Sequence, residues 1–195
     1  VNFKVNDDPG NSSQHDPCLA TGSQLNFVIA WYDTRENSNG EIYAQRYSAD
    51  GVAVGSNFKV CDDTTGAAKS QPAIACDTTE NFIVVWSDSR NGFEDIYAQR
   101  YSYEGVAIGS NFKVNPENGD DDDYWPHCAY GVDGSFIVTW VEMRGVWDYD
   151  IVAQRYASDG TPVGNIFQVN SDTPDAHHIV PSVIIDASGG FKITW

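Results

Sequence analysis

Basic residues are scarce in this chain: 11 lysines and arginines stand against 28 aspartates and glutamates, for a formal net charge of −17 over 195 residues. Nucleic acid is therefore not an expected partner, because neutralising phosphates takes a basic surface. Long apolar runs are missing as well. No stretch approaches the roughly 18 apolar residues that a membrane-spanning helix needs, so no membrane insertion is expected. The N-terminal residues carry no basic region followed by an apolar stretch, which places any signal peptide outside this sequence. Helical periodicity of i, i+3, i+4 is sustained nowhere. GxSxG, HExxH and CxxC are all absent, so no catalytic residue is nominated. The four cysteines, Cys18, Cys61, Cys76 and Cys128, fall at non-equivalent places and permit three full disulfide pairings without choosing one.

What is present is enough to build a core: 41% of residues are apolar and 13% aromatic. It is also repetitive. Phe-(Lys/Gln)-Val begins at Phe3, Phe58, Phe112 and Phe167, at intervals of 55, 54 and 55 residues. Pro17, Pro72, Pro126 and Pro181 follow 14 residues later, and Trp31, Trp86, Trp140 and Trp195 a further 14. Length varies only between Trp and the next Ile42, Ile96 or Ile151, as a solvent-facing loop tip allows. The second unit reads as four strands, residues 72–76, 81–86, 95–101 and 108–114, rich in β-branched and aromatic residues and bounded by turn formers.

Four short antiparallel strands per repeat predict an all-β fold, a β-propeller of four-stranded blades. A β-sandwich has no need of such strict repetition, and a β-solenoid normally has a shorter coil. Residues 1–195 read as a single propeller segment of about three and a half blades, with units 6–60, 61–114 and 115–169 and a partial unit 170–195. Such a segment is expected to belong to a larger ring, completed by further blades of a longer chain or by a second copy. WxDxR, then (D/E)IYAQRY, a DG or EG turn and FKVN, resembles the tandem repeats of secreted bacterial β-propeller proteins along the whole chain. That resemblance implies the architecture and a secreted or cell-surface location, and says less about activity. Likeness to sialidase propellers is superficial, the SxDxGxTW box being absent.

Every arginine lies in one of two repeat columns: Arg35, Arg90 and Arg144 after the tryptophan, and Arg46, Arg100 and Arg155 in AQRY. Cations so placed belong to the repeat. The AQRY arginines are expected to hydrogen-bond within or between blades, since a guanidinium satisfies several acceptors at once. In WxDxR, Arg35, Arg90 and Arg144 are expected to brace the following turn against Glu41, Asp95 and Asp150.

With strands alternating up and down, the blade connectors and the second-to-third strand turns share one face, which carries 21 of the 28 acidic residues. Negative potential there attracts cations or a basic partner. The densest run, Asp120, Asp121, Asp122 and Asp123, is the candidate metal site, and Ca²⁺ the cofactor it would take, although the DxDxDG alternation is missing. His15, His127, His177 and His178 sit in equivalent connectors and read first as surface histidines. Aromatics outside the repeat columns, Phe93, Tyr124, Trp125, Trp147 and Tyr149, gather in loops of the same face and form the candidate ligand site. The expected function is thus a non-catalytic extracellular module binding glycan or protein through that face. The alternatives are part of a polysaccharide-active enzyme, a glycoside hydrolase or lyase, and a structural subunit assembling by blade sharing.

Overall fold

A computed structural model describes residues 3–115, 122–144, 148–171 and 177–195. Fourteen strands form four antiparallel sheets among these residues. The first blade is β1 (Gln14–Thr21), β2 (Phe27–Asp33), β3 (Glu41–Tyr47) and β4 (Ala53–Lys59); the second is β5 (Lys69–Cys76), β6 (Phe82–Asp88), β7 (Asp95–Tyr101) and β8 (Ala107–Lys113). The third is β9 (Asp123–Tyr130), β10 (Phe136–Met143), β11 (Tyr149–Tyr156) and β12 (Pro162–Gln168), and a hairpin follows, β13 (Ser182–Ile185) with β14 (Phe191–Thr194). Each sheet pairs its strands in sequence order, and β1, β5, β9 and β13 neighbour one another along the inner side. The fold is a β-propeller. Among the described residues no helix is long and apolar enough to cross a membrane.

Blades are held together face to face. Along β6 every residue is buried, because successive side chains enter opposite interfaces. Phe82, Val84 and Trp86 pack with Val28, Ala30, Ile42 and Ala44 of the first blade, whereas Ile83 and Val85 pack with Phe136, Val138 and Trp140 of the third. A strand buried on both sides reads as a continuous apolar run, which is what NFIVVW is.

Each letter of AQRY has a separate structural task. Ala44, Ala98 and Ala153 are fully buried where blades approach closely. The amides of Gln45, Gln99 and Gln154 brace the bulged outer strand, Gln45 donating to Arg46 O at 2.9 Å and Val54 O at 3.2 Å. The bulge needs glycine: Gly55, Gly109 and Gly164 have φ of 74°, 72° and 73°. Arg46 donates to Tyr103 O of the next blade at 2.7 Å, and Arg100 to Ser158 O at 2.6 Å and to Asp159 O. Of the two arrangements expected from the sequence, within or between blades, Arg46 and Arg100 adopt the second. Tyr101, finally, lies between two phenylalanines, Phe82 of its own blade at 4.9 Å and Phe58 of the preceding one at 5.5 Å.

Two expectations need correction. Arg35 and Arg90 do not brace Glu41 and Asp95; they bond Asp33 and Asp88, at 2.8 and 2.7 Å, and reach the connector carboxylates Asp7 and Asp62. Their guanidinium groups lie over Tyr43 and Tyr97, at 4.2 and 4.1 Å, and that stacking fixes them away from the turn. In the third blade Val152 replaces the tyrosine, and Arg144 meets Asp150 at 3.0 Å as expected. Phe3, Lys4 and Val5 lie outside the strands, and Phe3 packs on Tyr47 at 5.4 Å. The strand expected at 72–76 begins earlier, at Lys69, because a bulge lets it continue past Pro72. All four cysteines are free thiols; burial pushes those of Cys18, Cys61 and Cys76 up to about 12, leaving them unreactive at neutral pH.

Candidate functional site

The residue before each repeat proline adopts a left-handed backbone: Asp16, Gln71, Trp125 and Val180 have φ of 50°, 55°, 50° and 56°. Non-glycine residues rarely enter this region, at a cost of about 1–3 kcal/mol each. The register of β1 against β2 skips between His15 and Cys18, that of β5 between Ser70 and Ala73, and that of β9 beside Trp125, so the strain sits in an inner-strand bulge. Asp16, Gln71, Trp125 and Val180, with Pro72, Pro126 and His127, line one cavity of about 390 Å³ at the channel mouth on the acidic face.

Contacts across blades hold this mouth. Gln71 Oε1 accepts the backbone N–H of Trp125 at 2.9 Å and the Ser87 hydroxyl at 3.0 Å. His127 Nδ1 accepts the Val183 N–H at 3.3 Å, and burial pushes its imidazole below the usual range, so the ring stays neutral. His15 stacks on Tyr32 at 4.0 Å and lies 2.9 Å from the Asp16 carboxylate.

Beside the mouth, between the second and third blades, lies an acidic patch. Asp122 Oδ1 accepts the Glu94 N–H at 2.8 Å, and the Asp122 carboxylate is hydrogen-bonded to the Tyr124 hydroxyl. Burial, then the charges of Asp122, Asp88 and Asp95, push the Glu94 carboxyl up to about 7. Glu94 Oε2 is buried without a hydrogen-bond partner. Asp123, 5% exposed, accepts the Trp140 indole N–H at 3.1 Å; burial first, then Glu142 and Asp95, push it up to about 8. Two carboxyls raised by burial, Glu94 and Asp123, therefore stand next to Asp122 and the Tyr124 hydroxyl.

Of the aromatics singled out from the sequence, Phe93 is 41% exposed in the β6–β7 turn. Tyr124 and Trp125 belong to β9 instead of a loop, with rings 5.7 Å apart, and Tyr149 opens β11 with its ring 5.0 Å from that of His177. Trp147, Asp120 and Asp121 lie outside the described residues. Asp122 and Asp123 are occupied by Glu94, Tyr124 and Trp140, and the described residues contain no group of three histidines, cysteines or carboxylates arranged to hold a metal. Sequence reasoning missed Asp16, Gln71, Val180 and Glu94. The first three carried one signal: they precede the repeat proline with a different residue type in each unit.

No protein-family model matches the chain, and no curated protein matches it. Among solved structures, an endo-arabinase from Bacteroides thetaiotaomicron VPI-5482 is similar to it, with a TM-score of 0.55 at 16% identity, over 91% of this chain and 68% of that one. A protein of unknown function from Dyadobacter fermentans DSM 18053 gives a TM-score of 0.38 at 8% identity, over 82% of this chain and 70% of that one. The first likeness supports the propeller fold.

Proposed function

We propose that this protein is a carbohydrate-handling propeller of the extracellular space, binding a glycan chain at the channel mouth. One observation carries the reading: four strained positions, one per blade, direct Asp16, Gln71, Trp125 and Val180 into one cavity beside acids and tyrosines. An indole plane flanked by amide and carboxylate groups matches a sugar ring, which offers an apolar face for stacking and hydroxyls around its rim. A net charge of −17 favours neutral or cationic glycans over polyanionic ones. The test is a glycan array followed by calorimetry with wild type and Trp125→Ala. Selective, saturable binding lost in the variant is expected; no glycan bound, or binding indifferent to the variant, overturns the proposal.

A second reading, glycan cleavage, is favoured by Glu94. A carboxyl raised to about 7 beside Asp122 suits a general acid that protonates a leaving glycosidic oxygen. The endo-arabinase likeness bears on this at the level of fold. Arabinan and related neutral polysaccharides, incubated with wild type and Glu94→Gln, are the decisive substrates. Release of reducing ends by wild type alone supports cleavage, and its absence leaves the binding module.

A further inference from the structure

Two backbone N–H groups fix which atoms the channel mouth presents to a ligand. Gln71 Oε1 accepts the N–H of Trp125 at 2.9 Å, and a main-chain donor can meet only the oxygen end of that amide. The same oxygen accepts the Ser87 hydroxyl at 3.0 Å. The NH2 end of Gln71 therefore points elsewhere. Among the described residues it has no hydrogen-bond partner, and it is not shut off from solvent. His127 is fixed in the same way: its Nδ1 accepts the Val183 N–H at 3.3 Å, so the neutral ring carries its proton on Nε2. That N–H, too, is open to solvent and has no partner among the described residues. Both side chains line the cavity of about 390 Å³, to which they offer donors.

The first blade contributes the opposite kind of group. Asp16 lines the same cavity; its carboxylate meets His15 through Oδ2 at 2.9 Å and has Oδ1 unengaged among the described residues. Pro72 and Pro126, both buried, add apolar wall without an N–H, beside the Trp125 indole. A sugar hydroxyl can answer each polar group in turn, but a hydroxyl set against proline leaves its own hydrogen bonds unmade. An acetamido group answers every part at once. Its carbonyl oxygen has two lone pairs for two donors, its N–H suits a carboxylate, and its methyl suits proline. A sugar acid also accepts from both donors, yet it would face Asp16 in a chain of net charge −17.

Resting on the glycan reading above, we propose that the sugar held at the channel mouth is an N-acetylated amino sugar. The Gln71 NH2 and the His127 Nε2–H donate to its acetamido oxygen, and Asp16 accepts its amide N–H. Its methyl lies against Pro72 and Pro126 while Trp125 stacks on its ring. Selectivity follows from the amide, because a sugar with a hydroxyl in that place leaves the two donors and the carboxylate without matched partners.

The probes are tetramers of β-1,4-linked N-acetylglucosamine and of β-1,4-linked glucose, titrated calorimetrically into the protein beside a glycan array holding sugars with and without acetamido groups. The acetylated tetramer should bind at least about tenfold more tightly than the glucose one. Saturation-transfer NMR should give its strongest ligand signal at the acetyl methyl. Gln71→Glu keeps the oxygen that Trp125 and Ser87 need and replaces the NH2 donor by an acceptor, whereas His127→Phe keeps a ring without a donor. Each should lower affinity for the acetylated tetramer to that for glucose, with thermal melts reporting whether the fold is kept. If His127→Phe unfolds, Gln71→Glu decides. Equal affinity for the two tetramers, acetyl selectivity unchanged in Gln71→Glu, or array hits confined to sugars without acetamido groups overturn the amino-sugar assignment and leave the glycan reading standing. An N-acetylated triglycine amide bound as tightly as the acetylated tetramer also overturns it, by assigning the cavity to peptides. Silence of every glycan overturns both.

Discussion

Gln71 Oε1 in the second blade accepts the backbone N–H of Trp125 in the third at 2.9 Å. The donor belongs to a residue in left-handed conformation, so the bond holds a backbone geometry that Trp125 would otherwise relax. Gln71→Leu removes the acceptor for Trp125 and for the Ser87 hydroxyl. The expected outcome is a loss of about 1–3 kcal/mol in denaturant unfolding, with weakened glycan binding by calorimetry. Trp125→Ala should abolish binding with a smaller loss of stability, separating the group that holds from the group that recognises.

Lys69 is fully buried where the first two blades meet, with its ammonium 2.6 Å from Asp63 and 3.8 Å from Glu41. Lys69→Met leaves the Asp63 carboxylate without its cation, while Glu41 keeps Lys59 at 3.1 Å, and should cost about 3–5 kcal/mol. Acid acts on the same pair. The Asp63 carboxyl, despite burial, is held well below its ordinary range by the Lys69 and Thr65 hydrogen bonds. A depressed folded-state value contributes stability above the unfolded value, near 3.8, that is lost as pH falls through the folded one. Thermal melts between pH 5 and about 2 should show a steep decline in wild type and a shallower one in Lys69→Met.

Asp123 has the opposite sign. Burial raises its folded-state value to about 8 from an unfolded value near 3.8. Below both values the two states are equally protonated; between them the unfolded chain ionises while folded Asp123 keeps its proton. Stability therefore falls as pH rises from about 4 to about 8. Asp123→Asn retains an acceptor for Trp140 and removes the titration. Melting temperatures should be higher in Asp123→Asn than in wild type at pH 8, with the difference vanishing near pH 4.

Gly105 lies in the turn that Arg46 caps, with φ of 80° and no room for a Cβ beside the guanidinium. Gly105→Ala should destabilise by about 1–2 kcal/mol through backbone strain alone. In an Arg46→Ala background the steric part of this cost disappears and the strain remains. A double-mutant cycle that shows no coupling would remove the between-blade role of the AQRY arginine.

Much of the blade was legible in the sequence because a repeat writes its own alignment. Phe82, Trp86, Tyr101 and Ala98 recur at fixed spacing, and alternation along a strand allots their side chains to faces without further knowledge. Arg35 was less legible: its choice of Asp33 over Glu41 depends on the ring of Tyr43 beneath it, a contact between strands. Trp125 was seen as an exception to the repeat but placed in a loop. A single sequence contains no sign that β9 continues through a bulge at that residue.

The sequence by itself determined the unit, the strand order within it, the face that collects the acids and the two columns that hold the arginines. Local periodicity and turn chemistry suffice for these, since each blade folds from contiguous residues. Only the tertiary structure decided which odd residues share a site. Asp16, Gln71, Trp125 and Val180 are about 55 residues apart along the chain. They meet only because blades stack side by side and bring the left-handed position before each repeat proline to one cavity.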